Sequence, residues 1–182
     1  MPTYGYVILL AGWLLWAAPF ALAKRTGEPA KVVDRRARWG ILSVAAGYMI
    51  LWQARFWERP LPVWRAALAI VFLALASLLS WTATRALGRQ WRIDAGLSAD
   101  HTLITSGPYQ VVRHPIYTSM LCVFLATGIV MAPAALFALA ALFFLAGTEI
   151  RVRVEEGLLE SHFGGRFAEY RRRVPAYVPF LR

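Results

Sequence analysis

The sequence predicts an all-α integral membrane protein with about five transmembrane helices. Three observations point there. The chain is 59% hydrophobic, with 8 Trp among 182 residues, and only 16% of its residues are charged. Four long stretches carry no charge at all. The basic residues fall overwhelmingly on one side of the topology that those stretches define.

The elements follow in order. Tyr4 to Ala23 is uncharged over 20 residues, the length that crosses a hydrocarbon core of about 30 Å. No basic region precedes it and no small-residue cleavage pattern follows it, so it reads as a retained span. Trp39 to Ala54 is a shorter uncharged run, extended by Phe56 and Trp57. Ala66 to Thr84 supplies a third run, of 19 residues. Pro115 to Thr148 is uncharged over 34 residues, too long for one span, and Met131-Ala132-Pro133 marks a turn at its middle. Each half would rise only about 24 Å as a helix. The second half is therefore expected to continue into the charged segment from Glu149 to Tyr170, which contains no Pro and keeps a helical pattern.

With five spans, the 24–38 loop, the 85–114 loop and the C-terminal tail share one side. They hold seventeen of the Lys and Arg residues, against Arg55, Arg59 and Arg65 on the other. The positive-inside rule makes the first side cytoplasmic. The same bias accounts for the net charge of +10 without a nucleic-acid partner. A basic face of this kind suits anionic membrane lipid. Cys122 is the single cysteine, which excludes a disulfide within these residues and a thiolate metal site, so no metal is expected. The chain reads as one domain, 1–182: three N-terminal spans over 1–84, then a core over 85–182 that holds the unusual polar residues.

Two stretches stand out in that core. The first is GPYQVVRHPIYT, residues 107–118. Gly107-Pro108 is a turn signal, and Pro115 pushes His114 out of the αR region, so a helix should start at Pro115 with His114 near its N-cap. The free N–H groups of that helix start, with Arg113 and His114, favour an anion at the membrane surface. Tyr109 and Tyr117 suit stacking on a flat ring, or anchoring at the interface. The second stretch begins EIRVRVEEGLLESHFGGR, residues 149–166. Arg151 and Glu155 share a helical face, with His162 two turns on. As an i, i+4 pair they have the less favourable Arg-then-Glu order, and Glu155 lies just past an apolar run, where ionisable groups are more often functional. Gly164-Gly165 should end or bend the helix. Arg171-Arg172-Arg173 reads as a headgroup anchor.

Taken together, HTLITSGPYQVVRHPIYTS and EEGLLESHFGGRFAEYRRRVPAYVPF resemble the isoprenylcysteine carboxyl methyltransferase family, and more loosely the membrane phospholipid methyltransferases. The resemblance covers residues 85 to 182; the first three spans match only in being apolar. It implies an S-adenosylmethionine-dependent methyltransferase with a cytosolic cofactor pocket, formed by the linker before the fourth span and the C-terminal helices. A lipidic acceptor would enter from the bilayer. Carried over by position, His101, Leu103, Ile104, Tyr109, His114, Tyr117 and Glu155 would bind the cofactor. Arg151 would bind the acceptor and, with Glu155, act in catalysis. The family's earlier linker contact falls near Asp94, where the residue type differs, so no role is carried over.

Methyl transfer from a sulfonium to a carboxylate needs alignment and exclusion of water rather than a general base. A phospholipid amine is the rival acceptor; it must lose a proton, and His101 or Glu156 is then the candidate base. Two other classes remain. Membrane sterol reductases use a dinucleotide and generally more spans, and this chain has no Gly-rich dinucleotide fingerprint. A small non-enzymatic transporter would place ionisable residues midway through spans, and none of the four uncharged runs has one.

Overall fold

The computed structural model describes residues 1–23, 32–55, 58, 60–92, 96–97 and 101–178. Six α-helices account for most of them: α1 Thr3–Leu22, α2 Ala37–Trp52, α3 Val63–Leu87, α4 Pro115–Met131, α5 Ala134–Phe163 and α6 Gly165–Arg173. One feature departs from a purely helical fold. Val32–Val33 (β1) pairs antiparallel with Gly96–Leu97 (β2), Val32 opposite Leu97 and Val33 opposite Gly96. It ties the segment before α2 to the linker before α4.

The long apolar run breaks where its sequence turns. α4 stops at Met131, and α5 restarts after Pro133 and runs 30 residues to Phe163. At 1.5 Å per residue that helix is about 45 Å long, well beyond a hydrocarbon core. Its second half is therefore free to carry charge. Gly164, with φ +54°, ends it, and α6 starts one residue later. Among the described helices α1, α3 and α5 are long and apolar enough to cross a membrane, while α4 is apolar but shorter. α2 and α4, with 16 and 17 residues, rise only about 24–26 Å. The Lys24, Arg25, Lys31, Arg59 and Arg182 part of the charge asymmetry lies outside the described residues, as do Phe56, Trp57 and Asp94.

Packing pairs α2 with α5, α3 with α4, and α1 with α3. The centre of one apolar cluster is an aromatic stack: Phe124 of α4 lies 4.3 Å from Phe144 of α5, centroid to centroid, and Tyr48 of α2 meets both edge-on. Rings in that offset and edge-to-face arrangement gain beyond simple area burial. α1 is pinned by two indoles. Trp13 Nε1 donates to Thr127 Oγ1 at 3.2 Å, and Trp16 Nε1 donates to Ser119 Oγ at 2.9 Å. Hydroxyls inside the bundle return to their own helices, as Thr84 Oγ1 does to the Ser80 carbonyl at 2.7 Å. In an apolar solvent no polar hydrogen can be left without an acceptor cheaply.

Candidate active site

The site is built where α4 starts. Gly107, at φ +61°, opens a 3-10 turn over Gly107–Gln110 that lays Tyr109 into the interior. His114 is the N-cap residue, and Pro115 is the first residue of α4. That is the start the His-Pro pair predicts. The helix start is held from a distance. The Arg113 N–H donates to the Pro175 carbonyl and the His114 N–H to the Ala176 carbonyl, each at 2.8 Å. Thr118 Oγ1 donates to the Tyr177 carbonyl at 2.8 Å. Residues 175–177 thus form a strap along the entrance of α4.

Two carboxylates on α5 organise the polar side chains. Glu156 Oε1 receives Arg113 Nε at 2.8 Å and Nη2 at 2.7 Å, and lies 3.1 Å from His114 Nε2. Arg113 also donates through Nη1 to the Arg171 and Val174 carbonyls. Glu155 Oε1 accepts from the Tyr117 hydroxyl and from Arg151 Nη2, the latter at 3.2 Å. Arg151 Nε donates to the Tyr117 hydroxyl at 2.5 Å. The guanidinium carbon also lies 5.7 Å from the centroid of the Tyr117 ring. Arg151 is only 8% exposed and His114 only 7%. A charge as far from water as the Arg151 guanidinium is stable only when paired and hydrogen-bonded.

These groups face a cavity of about 670 Å³. His101, Leu103, Ile104, Tyr109, His114, Tyr117, Arg151 and Glu155 all line it. At the end nearest Phe163, the buried Nδ1 of His101 has no hydrogen-bond partner among the described residues. Burial first, then the nearby His162 and Arg92, hold the His101 imidazole below its ordinary pKa, so it is neutral at neutral pH. Burial, then Glu155 and Tyr170, push the Tyr109 phenol up and keep it protonated. The Tyr109 carbonyl accepts from the Tyr170 hydroxyl at 2.6 Å.

The structure alters several expectations. Arg113 and His114 are not spare donors for an outside anion: Glu156 takes their side chains, and the strap takes their N–H groups. Glu156 does not line the cavity, and held by the Arg113 guanidinium, with His114 Nε2 at 3.1 Å, it is ill placed to be a base. Tyr117 touches Arg151 and Glu155 through its hydroxyl as well as presenting a ring. His162 is exposed, lies edge-on to Phe163 and stands outside the lining. The sequence also gave no sign of the apolar wall. Trp16 and Phe20 of α1 and Ile41 and Val44 of α2 line the cavity. Residues like these are common on every lipid-facing helix, so no pattern sets them apart. For Glu156 a signal existed, the doublet Glu155-Glu156, but not which partner each takes.

Fold and site together define a helical membrane protein with a partly open, mostly apolar cavity ringed by a few ordered charges. The chain belongs to the phospholipid methyltransferase family, whose model matches residues 64–166. It is similar to protein-S-isoprenylcysteine O-methyltransferase B of Arabidopsis thaliana, 31% identical over 121 residues, covering 65% of this chain and 61% of the relative. It is similar also to the cobalt-zinc-cadmium resistance protein CzcN of Cupriavidus metallidurans, 34% identical over 125 residues, covering 69% and 52%. A shorter match, 40% identical over 73 residues, is to methanethiol S-methyltransferase 2 of Bradyrhizobium diazoefficiens, covering 40% and 27%. The chain thus spans about half to three fifths of the length of the first two relatives. The resemblance to isoprenylcysteine carboxyl methyltransferases read from the two motifs is borne out by these relatives. Among the described residues no group of three or more His, Cys, Asp and Glu stands where it could hold a metal ion.

Proposed function

We propose that the protein is an S-adenosylmethionine-dependent methyltransferase of the membrane, acting on a lipidic acceptor whose carboxylate Arg151 binds. One observation carries the reading. The residues that the methyltransferase motifs single out, on the linker, the start of α4 and the polar half of α5, line a single cavity. Its volume lies within the range of roughly 300–1,000 Å³ usual for small-molecule sites.

The residues present suit that cofactor. Its ammonium group finds a carboxylate in Glu155, its own carboxylate finds the positive end of the α4 dipole beside His114, and its adenine finds an apolar slot beside His101, Leu103 and Ile104. When bound, the cofactor supplies a methyl group activated by a sulfonium. The chain's own part is alignment. Arg151 presents a rigid fork of donors that matches a carboxylate. Tyr117 and Glu155 hold that fork, and the Trp16, Phe20 and Ile41 wall keeps water out and receives the acceptor's apolar part. With reactants held in line, much of the barrier is met by orientation.

In this reading five helices cross the membrane, α2 and α4 as short spans around which the bilayer thins, and the cavity opens to the cytoplasm. Residues 1–182 act as one domain. The match to the phospholipid methyltransferase model favours a second reading, an amine headgroup as acceptor. His101, neutral and lining the cavity, is then the base available, because Glu156 is occupied by Arg113 and His114.

The test has two arms on detergent-purified protein. S-adenosylhomocysteine is titrated calorimetrically, and micromolar binding is expected; no heat at millimolar ligand overturns the cofactor assignment. Radiolabel transfer from S-adenosylmethionine is then compared for a farnesylcysteine analogue, phosphatidylethanolamine and a short alkyl thiol. Labelling of the farnesylcysteine analogue supports the carboxylate reading, and labelling of phosphatidylethanolamine alone replaces it with the amine reading.

A further inference from the structure

Arg151, which reaches Tyr117 of α4, leaves α5 at a seam with α2 where the two helix backbones come unusually close. α2 and α5 run antiparallel there: Gly40 faces Gly147 and Arg151, while Gly47 faces Ala140 and Phe144. A Cβ on Gly40 would lie 2.6 Å from the Arg151 Cγ and 2.6 Å from the Gly147 carbonyl oxygen. A Cβ on Gly147 would lie 2.5 Å from the Gly40 carbonyl oxygen and 2.7 Å from the Val44 nitrogen. Such approach is open only to glycine. Ser43 Oγ donates to the Phe143 carbonyl at 2.7 Å and fixes the register of the seam.

We propose that Gly40 is a positioning residue for Arg151: the space left by its missing side chain is the slot through which the Arg151 stem passes, and the slot aims the guanidinium at Tyr117 and the cavity. The inference rests on the reading of Arg151 as the acceptor-side group. Arginine has a long stem with many rotamers, and the hydrogen bonds to Tyr117 and Glu155 act at its far end. The α2 backbone at Gly40 is the wall against which the Cγ rests. A misplacement of about 1 Å in an aligned site costs on the order of a hundredfold in rate, so a wall at van der Waals distance from the stem sets activity without touching substrate.

Gly47 is the built-in comparison. It sits two turns along the same face of α2, and a Cβ there would press on the Ala140 carbonyl at 2.9 Å and the Phe144 nitrogen at 3.1 Å. It disturbs the same seam away from Arg151, and neither Ala140 nor Phe144, on which it would press, lines the cavity. Gly40→Ala and Gly47→Ala are therefore expected to lower the melting temperature in detergent alike. Only Gly40→Ala should lower kcat for methyl transfer tenfold or more at saturating cofactor, with Gly47→Ala within threefold of the parent. Equal losses in the two variants, or parent-like kcat in Gly40→Ala, overturn the proposal.

A second measurement needs no activity. Gly40→Ala is made in the parent and in the Arg151→Ala background, which lacks the Cγ. The loss in melting temperature should be clearly smaller in the second background, and folding of the double variant where Gly40→Ala alone fails to fold supports the proposal equally. An identical loss, or failure of both to fold, reduces Gly40 to helix packing and overturns it. A parent that transfers no methyl group sinks the proposed function while leaving this cycle readable.

Discussion

The Tyr117 hydroxyl stands between Arg151 and Glu155, accepting from the guanidinium Nε at 2.5 Å and donating to the Glu155 carboxylate. The residue read as acceptor-binding and the residue read as cofactor-binding are thus two ends of one hydrogen-bonded unit. Removing the hydroxyl alone separates its role from that of the ring. Tyr117→Phe is expected to cut methyl transfer tenfold or more with modest loss of stability, measured by radiolabel transfer beside a thermal melt. Full activity in Tyr117→Phe would show that the bridge is dispensable.

Arg151→Ala should abolish methyl transfer, and Arg151→Lys should recover little of it. An ammonium cannot reproduce the guanidinium fork toward a carboxylate, nor reach Tyr117 and Glu155 together. Substantial transfer by the Lys variant would count against bidentate recognition.

His114→Ala and Glu155→Ala should each weaken cofactor binding tenfold or more, about 1.4 kcal/mol or above. Calorimetric affinities within twofold of the parent would remove both from the cofactor site.

Glu156→Gln tests the internal anion. Arg113 and Glu156 are both largely buried, and removing one partner of such a pair typically costs about 3–5 kcal/mol. The expected result is a large fall in melting temperature, with His114 and the strap loosened together. A melt within a degree of the parent would show that other groups neutralise Arg113.

His101 gives a pH signature. Its folded pKa lies below the ordinary 6.5, through burial and the nearby His162 and Arg92. The unfolded chain therefore takes up the proton first as pH falls. Stability linked to this group is unaffected well above pH 6.5 and declines as pH drops through 6.5 toward the lower folded value. Melts at pH 7.5 and pH 5.5 should show a larger acid loss for the parent than for His101→Gln. Equal losses would remove His101 as the source.

Topology is open to a direct check. A reporter fused after Arg182 should be active only in a cytosolic form; activity of a reporter that works only outside the cytosol would overturn the five-span arrangement.

Much of the framework was legible because it depends on short-range signals. Pro115 sets the start of α4, Ala132-Pro133 sets the break before α5, and Gly164 sets the end of α5, each through backbone sterics that neighbouring residues announce. The site residues on the two motifs converge on one cavity for the same reason: each motif fixes its own turn or helix face. What was not legible depends on distant partners. The pairing of Arg113 with Glu156, 43 residues apart, cannot be told from an anion-binding site by local pattern. The contribution of α1 and α2 to the wall is hidden because lipid and cavity ask for the same side chains. The small β pair was missed because two residues on each strand leave no period to read.

The strap at residues 175–177 puts a clock into biosynthesis. Thr118 must find a carbonyl 59 residues downstream, and the amides of Arg113 and His114 wait for the same segment. A growing polypeptide leaves the ribosome from its N-terminal end, so α4 can be delivered to the bilayer before its entrance is closed. A chain halted before Pro175 would keep α4 and α5 with the start of α4 unfastened. The last step of folding at the start of α4 thus depends on a segment synthesised after both helices it serves.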